Sequence, residues 1–321
     1  MDSKEKDDPQ SNEPCEESGA KELLFNPLID RRAFIKGMAG VLGVSALGIG
    51  KGYANTDKNE IVVEKVPVKI SNLPKAFKGF KIAQLSDLHS SPLVSVNHLK
   101  AAAILAKKEN PDLVVLTGDF IGHKIRTHRR EIHEFDKQYV DNIVEALSVL
   151  KPAHGIFSVL GNHDFWSGPE ATQYLIDRFS KGLGAQWLRN DRVELQRGRD
   201  SIQLIGVDDL WQDSFSLRKA YRKVDHGRTR ILLSHNPEVN EEFQWNPGLS
   251  AELILSGHTH GGQVVLPFIG PPFLPGIRNK KYIAGLVEEK GRQTYVTRGI
   301  GHLVVPLRFN CPPEVSLIEL V

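Results

Sequence analysis

The sequence predicts an α/β fold, and three observations carry the prediction. Apolar runs of strand length recur from about Ile61 onward, longer stretches of helical period separate several of them, and no repeat of fixed length runs through the chain. In order, the strand readings are Phe80–Ser86 (FKIAQLS), Asp112–Thr117 (DLVVLT), Gly155–Leu160 (GIFSVL), Ser201–Val207 (SIQLIGV), Arg230–Ser234 (RILLS) and Glu252–Ser256 (ELILS). Their near-continuous apolar character is that of strands buried on both faces. Helical patterns cover Val96–Glu109, Phe135–Leu150 and Pro169–Phe179. From Gln293 to Leu320 the chain breaks into short strands punctuated by Gly and Pro, which predicts an antiparallel or mixed sheet there.

A chain of 321 residues, 25% of them charged, can bury a full core in one large domain or two small ones. The 41 Lys and Arg residues nearly balance the 39 Asp and Glu, and the basic runs are short. No positive field is available to hold a polyanion, so nucleic acid is not an expected partner. Cys15 and Cys311 lie almost a chain length apart and match no zinc or redox spacing, which excludes a disulfide framework and disfavours thiolate ligation of a metal.

The residues that carry chemistry stand just past the strands. Asp87 and His89 come after the first, Asp119 after the second, Asn162, His163 and Asp164 after the third, His235 after the fifth, and His258 and His260 after the sixth. In open α/β sheets the crevice beyond the carboxyl ends of the strands is where ligands bind, so five strands deliver ligand-type side chains to one edge. Small residues, Ser86, Gly118, Gly161, Ser234 and Gly257, precede them and permit sharp turns and close approach. Continued strand alternation would aim both members of Asp87/His89, and of His258/His260, the same way. Singly, each residue is explained as a turn former, a cap or a hydrogen-bonded core histidine. Independent caps would not favour His and Asp at five strand ends. Two carboxylates, an amide and several imidazoles without thiolate suit two divalent ions of the Mn, Fe or Zn kind. Asp87 and Asp119 cancel half of the ions' charge, and the surplus attracts a phosphate; two ions about 3.5–4 Å apart are the arrangement for in-line displacement at phosphorus.

These blocks resemble those of the calcineurin-like metallophosphoesterases: DLH (Asp87, His89), GD (Gly118, Asp119), GNHD (Gly161–Asp164), SH (Ser234, His235) and GHTH (Gly257–His260), all in order. The resemblance implies a four-layer α-β-β-α sandwich of two mixed sheets flanked by helices. It also implies Asp87, His89 and His260 on one ion, Asn162, His235 and His258 on the other, and Asp119 bridging them. A metal-bridging hydroxide would be the nucleophile, His163 the acid at the leaving group, and Asp164 the residue that orients His163. The second block, GDFIGHK, lacks the GDxxDRG pattern of the serine/threonine phosphatases, and His163 departs from the hydrolases with arginine at that place. The chain is most similar to an exported or membrane-associated bacterial phosphodiesterase branch, some of whose members act on UDP-2,3-diacylglucosamine. The expected substrate is therefore a small-molecule or lipid phosphodiester. A catalytically idle, metal-dependent envelope binding protein is the reading from another class, disfavoured because His163, which metal retention does not need, is intact.

Before the domain, taken as residues 55–321, lie two segments of other character. Residues 1–29 are acidic, polar and poor in aromatics, the composition of a disordered tail. Residues 30–54 carry Arg31 and Arg32, then Phe34, Ile35 and Lys36, an apolar run from Met38 to Gly50 and a small-residue site near Ala54. They resemble a twin-arginine signal, and the apolar run is shorter than the roughly 20 residues a membrane span requires. An uncleaved membrane anchor and a buried Gly/Ala-rich helix are the other readings. The signal implies the twin-arginine export machinery as a partner and a place across, or anchored to, the bacterial cytoplasmic membrane. Such export carries folded chains, which suits a protein that must first load its metal.

Three features stay open between two readings. His123, His128 and His133 form either a basic rim over the metals or a solvated loop. His302 either lines the pocket or is structural. The uncharged, proline-rich run Val264–Ile277 is either a lipid-facing loop or a buried connection.

Overall fold

Two six-stranded sheets face each other, and the burial of alternate residues along their strands explains the arrangement. The computed structural model describes residues 60–121, 136–272, 274, 276–303 and 306–321. The tail, the arginine-pair segment and His123, His128 and His133 lie outside them. The first sheet contains β1 (Val62–Val68), β12 (Glu314–Leu320), β2 (Phe80–Leu85), β3 (Leu113–Thr117), β4 (Ile156–Val159) and β5 (Gln186–Trp187), in that spatial order. The second runs β10 (Gly285–Glu289), β11 (Arg292–Val296), β9 (Leu253–Ser256), β8 (Arg230–Leu233), β7 (Asp200–Gly206) and β6 (Asp191–Arg197). Both are mixed. β2 to β5 are parallel, whereas β12 pairs antiparallel with β2 and parallel with β1. β7, β8, β9 and β11 are parallel, edged by the antiparallel β6 and β10.

Helices cover both outer faces. α1 (Val96–Lys108), α2 (Lys137–Leu147) and α4 (Pro169–Leu183) lie on the first sheet, with the short α3 (Asn162–Trp166) opening directly off the chain after β4. α5 (Leu217–Ala220) and α6 (Val239–Trp245) lie on the second. Ser95 and Asp136 cap α1 and α2 by accepting from His98 and Gln138 N–H groups, and α4 ends on Gly184 in the left-handed conformation. α4 extends past the expected end at Phe179 because Leu183 continues its apolar stripe.

Three apolar clusters fill the three gaps between four layers. Ala83, Leu85, Val114 and Leu116 face the helices of the first sheet. Ile82, Leu113, Val115, Phe157 and Val159 meet Leu204, Ile231, Leu233, Leu253 and Leu255 between the sheets. Ile205, Leu232 and Ile254 face α5 and α6. Strands buried on both sides need apolar residues at every position, which is why they read as continuous runs. The antiparallel edges read differently. β10 and β11 are joined at Lys290 and Gly291, both at positive φ, a two-residue turn whose twist suits a hairpin. The layering is the α-β-β-α sandwich that the resemblance implies.

At the seam between the sheets Gln84 Nε2 donates to Thr117 Oγ1 of its own sheet and to Ser256 O of the other, both at 3.0 Å. It lies at the carboxyl ends of β2, β3 and β9, where the side chains that carry chemistry begin. The run Val264–Ile277 is buried in part and exposed in part. Val264 is buried, while Phe268 and Ile269 stand exposed at the tip of a turn closed by Leu266 and Gly270. Among the described residues no helix is long and apolar enough to cross a membrane.

Leu233→Ala removes a side chain buried entirely between the sheets. It is expected to cost about 2–5 kcal/mol in a urea titration.

Candidate metal centre

The loops after β2, β3 and β9 make left-handed turns where their polar residues stand. β2 and β9 stop at Leu85 and Ser256, and Asp87, His89, Asp119, His258 and His260 have φ of 53°, 43°, 54°, 73° and 52°. Turn geometry, rather than the continued strand alternation expected from the sequence, aims these side chains. Asp and His tolerate this region better than bulky residues, but each such turn still costs about 1–3 kcal/mol. Neighbouring loops hold the turns in place. Asp87 N–H donates to Gly118 O (2.9 Å), His89 N–H to Asp119 O (3.1 Å), and His258 N–H to both Asp87 carboxylate oxygens (3.0 and 3.1 Å). The approach is close enough to require glycine: a Cβ on Gly257 would stand 2.2 Å from Asp87 Oδ2 and 2.1 Å from Ser86 Oγ.

Two clusters result. Ligand atoms of Asp87, His89 and His260 lie within 4.8 Å of one another, as do those of Asp119, His235 and His258. In the first, His89 Nε2 and His260 Nε2 are 3.0 Å apart and His260 Nε2 is 3.5 Å from Asp87 Oδ1. In the second, His235 Nε2 is 3.2 Å from Asp119 Oδ2 and 3.2 Å from His258 Nδ1. Asn162 Oδ1 joins the second cluster, 3.1 Å from His235 Nε2 and 3.0 Å from His258 Nδ1. Asp119 Oδ2 also lies 3.5 Å from His89 Nε2, so this carboxylate faces both clusters. All are buried.

The electrostatics of the set call for positive charge. Burial pushes the Asp87 carboxyl up to about 6, with the Asp119 charge adding and His235 opposing. Burial lowers His89 and His258 to about 3 and holds His260 well below its ordinary value. These imidazoles are neutral, the form that offers a lone pair. His235 behaves in the opposite way: burial lowers it, but the Asp119 charge and hydrogen bond, with Asp87 and Asp209, raise it to about 10. A proton on His235 thus serves as the cation that two buried carboxylates demand. The donor set fits a pair of divalent ions. His235 donates Nδ1–H to Thr117 O at 2.8 Å, which leaves Nε2 aimed at the other acceptors, and such a backbone partner orients a metal-binding imidazole.

Asp164 departs from its expected role. Its carboxylate accepts from the backbone N–H groups of Gly161 (2.9 Å), Asp119 (3.0 Å), Phe120 (2.8 Å) and Ile121 (3.4 Å), instead of orienting His163. Burial and the Asp119 charge push it up to about 7, while the Gly161 and Phe120 N–H groups pull the other way. Asp164 therefore locks the turn after β3 to the start of α3. His163 is held by its own N–H, which donates to Asp119 Oδ1 at 2.9 Å. Its Nε2 lies 4.0 Å from Asp119 Oδ2, its ring is edge-on to His89 at 4.9 Å, and 13% of the side chain is exposed.

Four contributors are not among the residues expected from the sequence. Asp209 is buried beside His235, and burial raises it to about 6. Arg308 donates to Gly299 O and Gly301 O and approaches His260 Nδ1 at 3.4 Å, fixing the loop that packs under Asp87. Trp166 and Trp211 flank His163 and His258. Asp209 and Trp211 come just after β7, so the rule applied to the other strand ends also reaches them. His302 is buried against the His98 ring at 5.8 Å, and burial lowers it to about 4.

The family model of the calcineurin-like phosphoesterases matches residues 80–262. The chain belongs to the calcineurin-like phosphoesterases. It is 32% identical over 295 residues to the phosphodiesterase YaeI of Escherichia coli, covering 92% of this chain and 100% of that one. It is also 32% identical to the uncharacterised metallophosphoesterase YkuE of Bacillus subtilis, covering 91% and 98%. UDP-2,3-diacylglucosamine pyrophosphatase LpxG of Chlamydia trachomatis is 29% identical over 77% of this chain and 86% of its own. Membership makes this calcineurin-like phosphoesterase a metal-dependent enzyme acting on phosphoesters.

Two substitutions separate scaffold from site. Gly257→Ala is expected to displace the Asp87 carboxylate and lower metal content, read by elemental analysis of purified protein. Asp164→Ala leaves buried N–H donors unpaired, at about 1–3 kcal/mol for each, and is expected to lower stability by at least about 3 kcal/mol in a urea titration with chelator present.

Proposed function

We propose that the protein is a two-metal phosphodiesterase. The observation that carries the reading is the single oxygen Asp119 Oδ2, which faces both clusters and has His163 Nε2 4.0 Å away. Asp87, His89 and His260 would hold one ion, Asn162, His235 and His258 the other, and Asp119 both. When bound, two such ions supply Lewis acidity toward phosphate oxygens and an acidified water as nucleophile. Mn, Fe and Zn suit the donor set. His163 presents Nε2 to the leaving oxygen and holds the proton delivered there. Burial lowers its pKa and Asp119 works against that fall. Asp164, through its backbone bonds, ties the turn that carries Asp119 to the start of α3.

The name of the YaeI relative supports a phosphodiester substrate. Hydrolysis of a nucleotide-linked lipid such as UDP-2,3-diacylglucosamine is the second reading, supported by the LpxG relative. The exposed Phe268 and Ile269 support contact with a lipid surface. Export through the twin-arginine machinery, or anchoring to the outer face of the cytoplasmic membrane, rests on Arg31, Arg32 and the apolar run behind them.

Chelation is expected to abolish hydrolysis of bis(4-nitrophenyl) phosphate and Mn to restore it; activity indifferent to chelators would sink the reading. Asp119→Asn should lose metal as well as rate. His163→Ala should keep its metal and lose about 10²–10⁴-fold in kcat. Equal metal loss in both variants would refute the roles given to them.

A further inference from the structure

The geometry points to a binding platform for a planar aromatic ring on the leaving group of the substrate, formed by Trp166 and Trp211. Trp166 lies three residues after His163 on α3, so the two share a face, and their rings are 5.0 Å apart. Trp211 reaches the same place from the other sheet, edge-on to His258 at 4.8 Å. The two indoles are 14° from parallel with centroids 5.9 Å apart, and each keeps more than a third of its surface exposed (36% and 37%).

The supports are rigid. Asp209 Oδ1 accepts from Trp211 N–H at 3.0 Å. The adjacent Asp208 is gripped by two Arg189 nitrogens, Nε and Nη2, at 2.9 and 3.0 Å, and by Asn190. Gly276 lies so near that a Cβ there would stand 2.2 Å from the Trp211 ring. A large apolar ring that stays partly exposed beside a polar centre, while its backbone is fixed this firmly, is the composition of a ligand site: apolar walls beside a few convergent polar groups. The indoles stack on each other nearly parallel, and the part of each that stays exposed is the surface a flat partner would cover. Stacking on tryptophan tolerates any π-face, so the shared chemistry is the planar ring, whether aryl or nucleobase.

The inference rests on the proposed function, because His163 beside Trp166 defines the leaving side. In that step the P–O bond to the ring-bearing group breaks, its oxygen takes the proton from His163, and the water oxygen stays on phosphorus. The platform adds affinity for the departing group and takes no part in bond making.

Three Mn-loaded proteins test it: wild type, Trp211→Ala and Trp166→Phe. The substrates are bis(4-nitrophenyl) phosphate, a thymidine 5′-phosphodiester of glycerol, and glycerophosphoglycerol, which has no ring. Trp211→Ala is expected to raise KM about tenfold more for the ring-bearing diesters than for the ringless one, and Trp166→Phe, which keeps an aromatic face, to raise it by less. A rise confined to one ring-bearing diester assigns the platform to that ring type. Binding is read separately in chelated protein: 4-nitrophenyl phosphate should quench wild-type tryptophan fluorescence at lower concentration than it quenches Trp211→Ala. Equal KM changes for ringed and ringless substrates, or quenching unaltered by Trp211→Ala, would overturn the platform. Wild-type protein that cleaves no diester and yet shows Trp211-dependent quenching fails the proposed function and upholds the platform.

Discussion

Asp119 Oδ2 stands 3.2 Å from one imidazole nitrogen and 3.5 Å from another, in a place from which solvent is excluded. Around it the Asp87 carboxylate, the Asn162 amide oxygen and the nitrogens of further histidines converge, nearly all as acceptors. Acceptors crowded together in a low-dielectric space repel one another unless something positive lies between them. Without an ion, a proton on His235, favoured by the Asp119 and Asp87 charges, is the available answer, while burial holds His89, His258 and His260 low. A divalent pair answers the demand with more charge and releases the proton, so metal loading of such a site is coupled to pH.

Holding acceptors in that repulsive arrangement is the task of the surrounding backbone. Left-handed turns at Asp87, Asp119 and His258 would relax if the loops were independent. They are not: Asp87 accepts from the His258 N–H, Asp164 accepts from the turn that carries Asp119, and Gly118 and Gly161 pass so close that a Cβ on Gly161 would overlap the Asp119 carboxylate. Each loop's strained turn is thereby fixed by its neighbour's polar groups. The importance of Asp164 lies in supplying two acceptor oxygens where several N–H groups converge. An asparagine would offer one acceptor oxygen and a donor amide there, which is why an aspartate suits the position.

Much of the fold is legible in the sequence because strands buried on both faces leave no freedom in composition, and because the chain places its ligand types immediately past them. The six strands expected match β2, β3, β4, β7, β8 and β9 to within a residue at either end. β1, β6 and β10 are less visible: half-exposed edge strands alternate with charges, as in Asp191–Arg197, and resemble surface loops. The site's membership is legible, but its mechanics are not. Alternation along a strand gives a plausible reason for the paired aims of Asp87/His89 and His258/His260, whereas positive φ at those positions is the operative one. Nothing in a linear pattern tells that Asp164 points back at its own loop, since an acid three residues into a helix and an acid orienting a histidine look alike. Asp209 and Trp211 are within reach of the sequence, for Ser201–Val207 reads as a strand and its successor residues obey the same rule as the rest.

The position of the centre relative to the two sheets has an energetic consequence. His89 and Asp87 come from the first sheet and His260 from the second; Asp119 and Asn162 come from the first, His235 and His258 from the second. Every cluster is therefore complete only when the sheets are packed face to face, with Gln84 spanning the seam at the same end. An ion that binds this arrangement and not the open chain stabilises the sandwich by its binding free energy, weighted by its concentration over its dissociation constant. The apolar gap between the sheets and the polar centre at their edge thus reinforce one another. Burial brings the acceptors together at an electrostatic cost, and a cation held between them turns that cost into a bond across the two sheets. A chain built this way has its site only once it has folded, and that is the physical reason why filling the centre and closing the sandwich belong to one event.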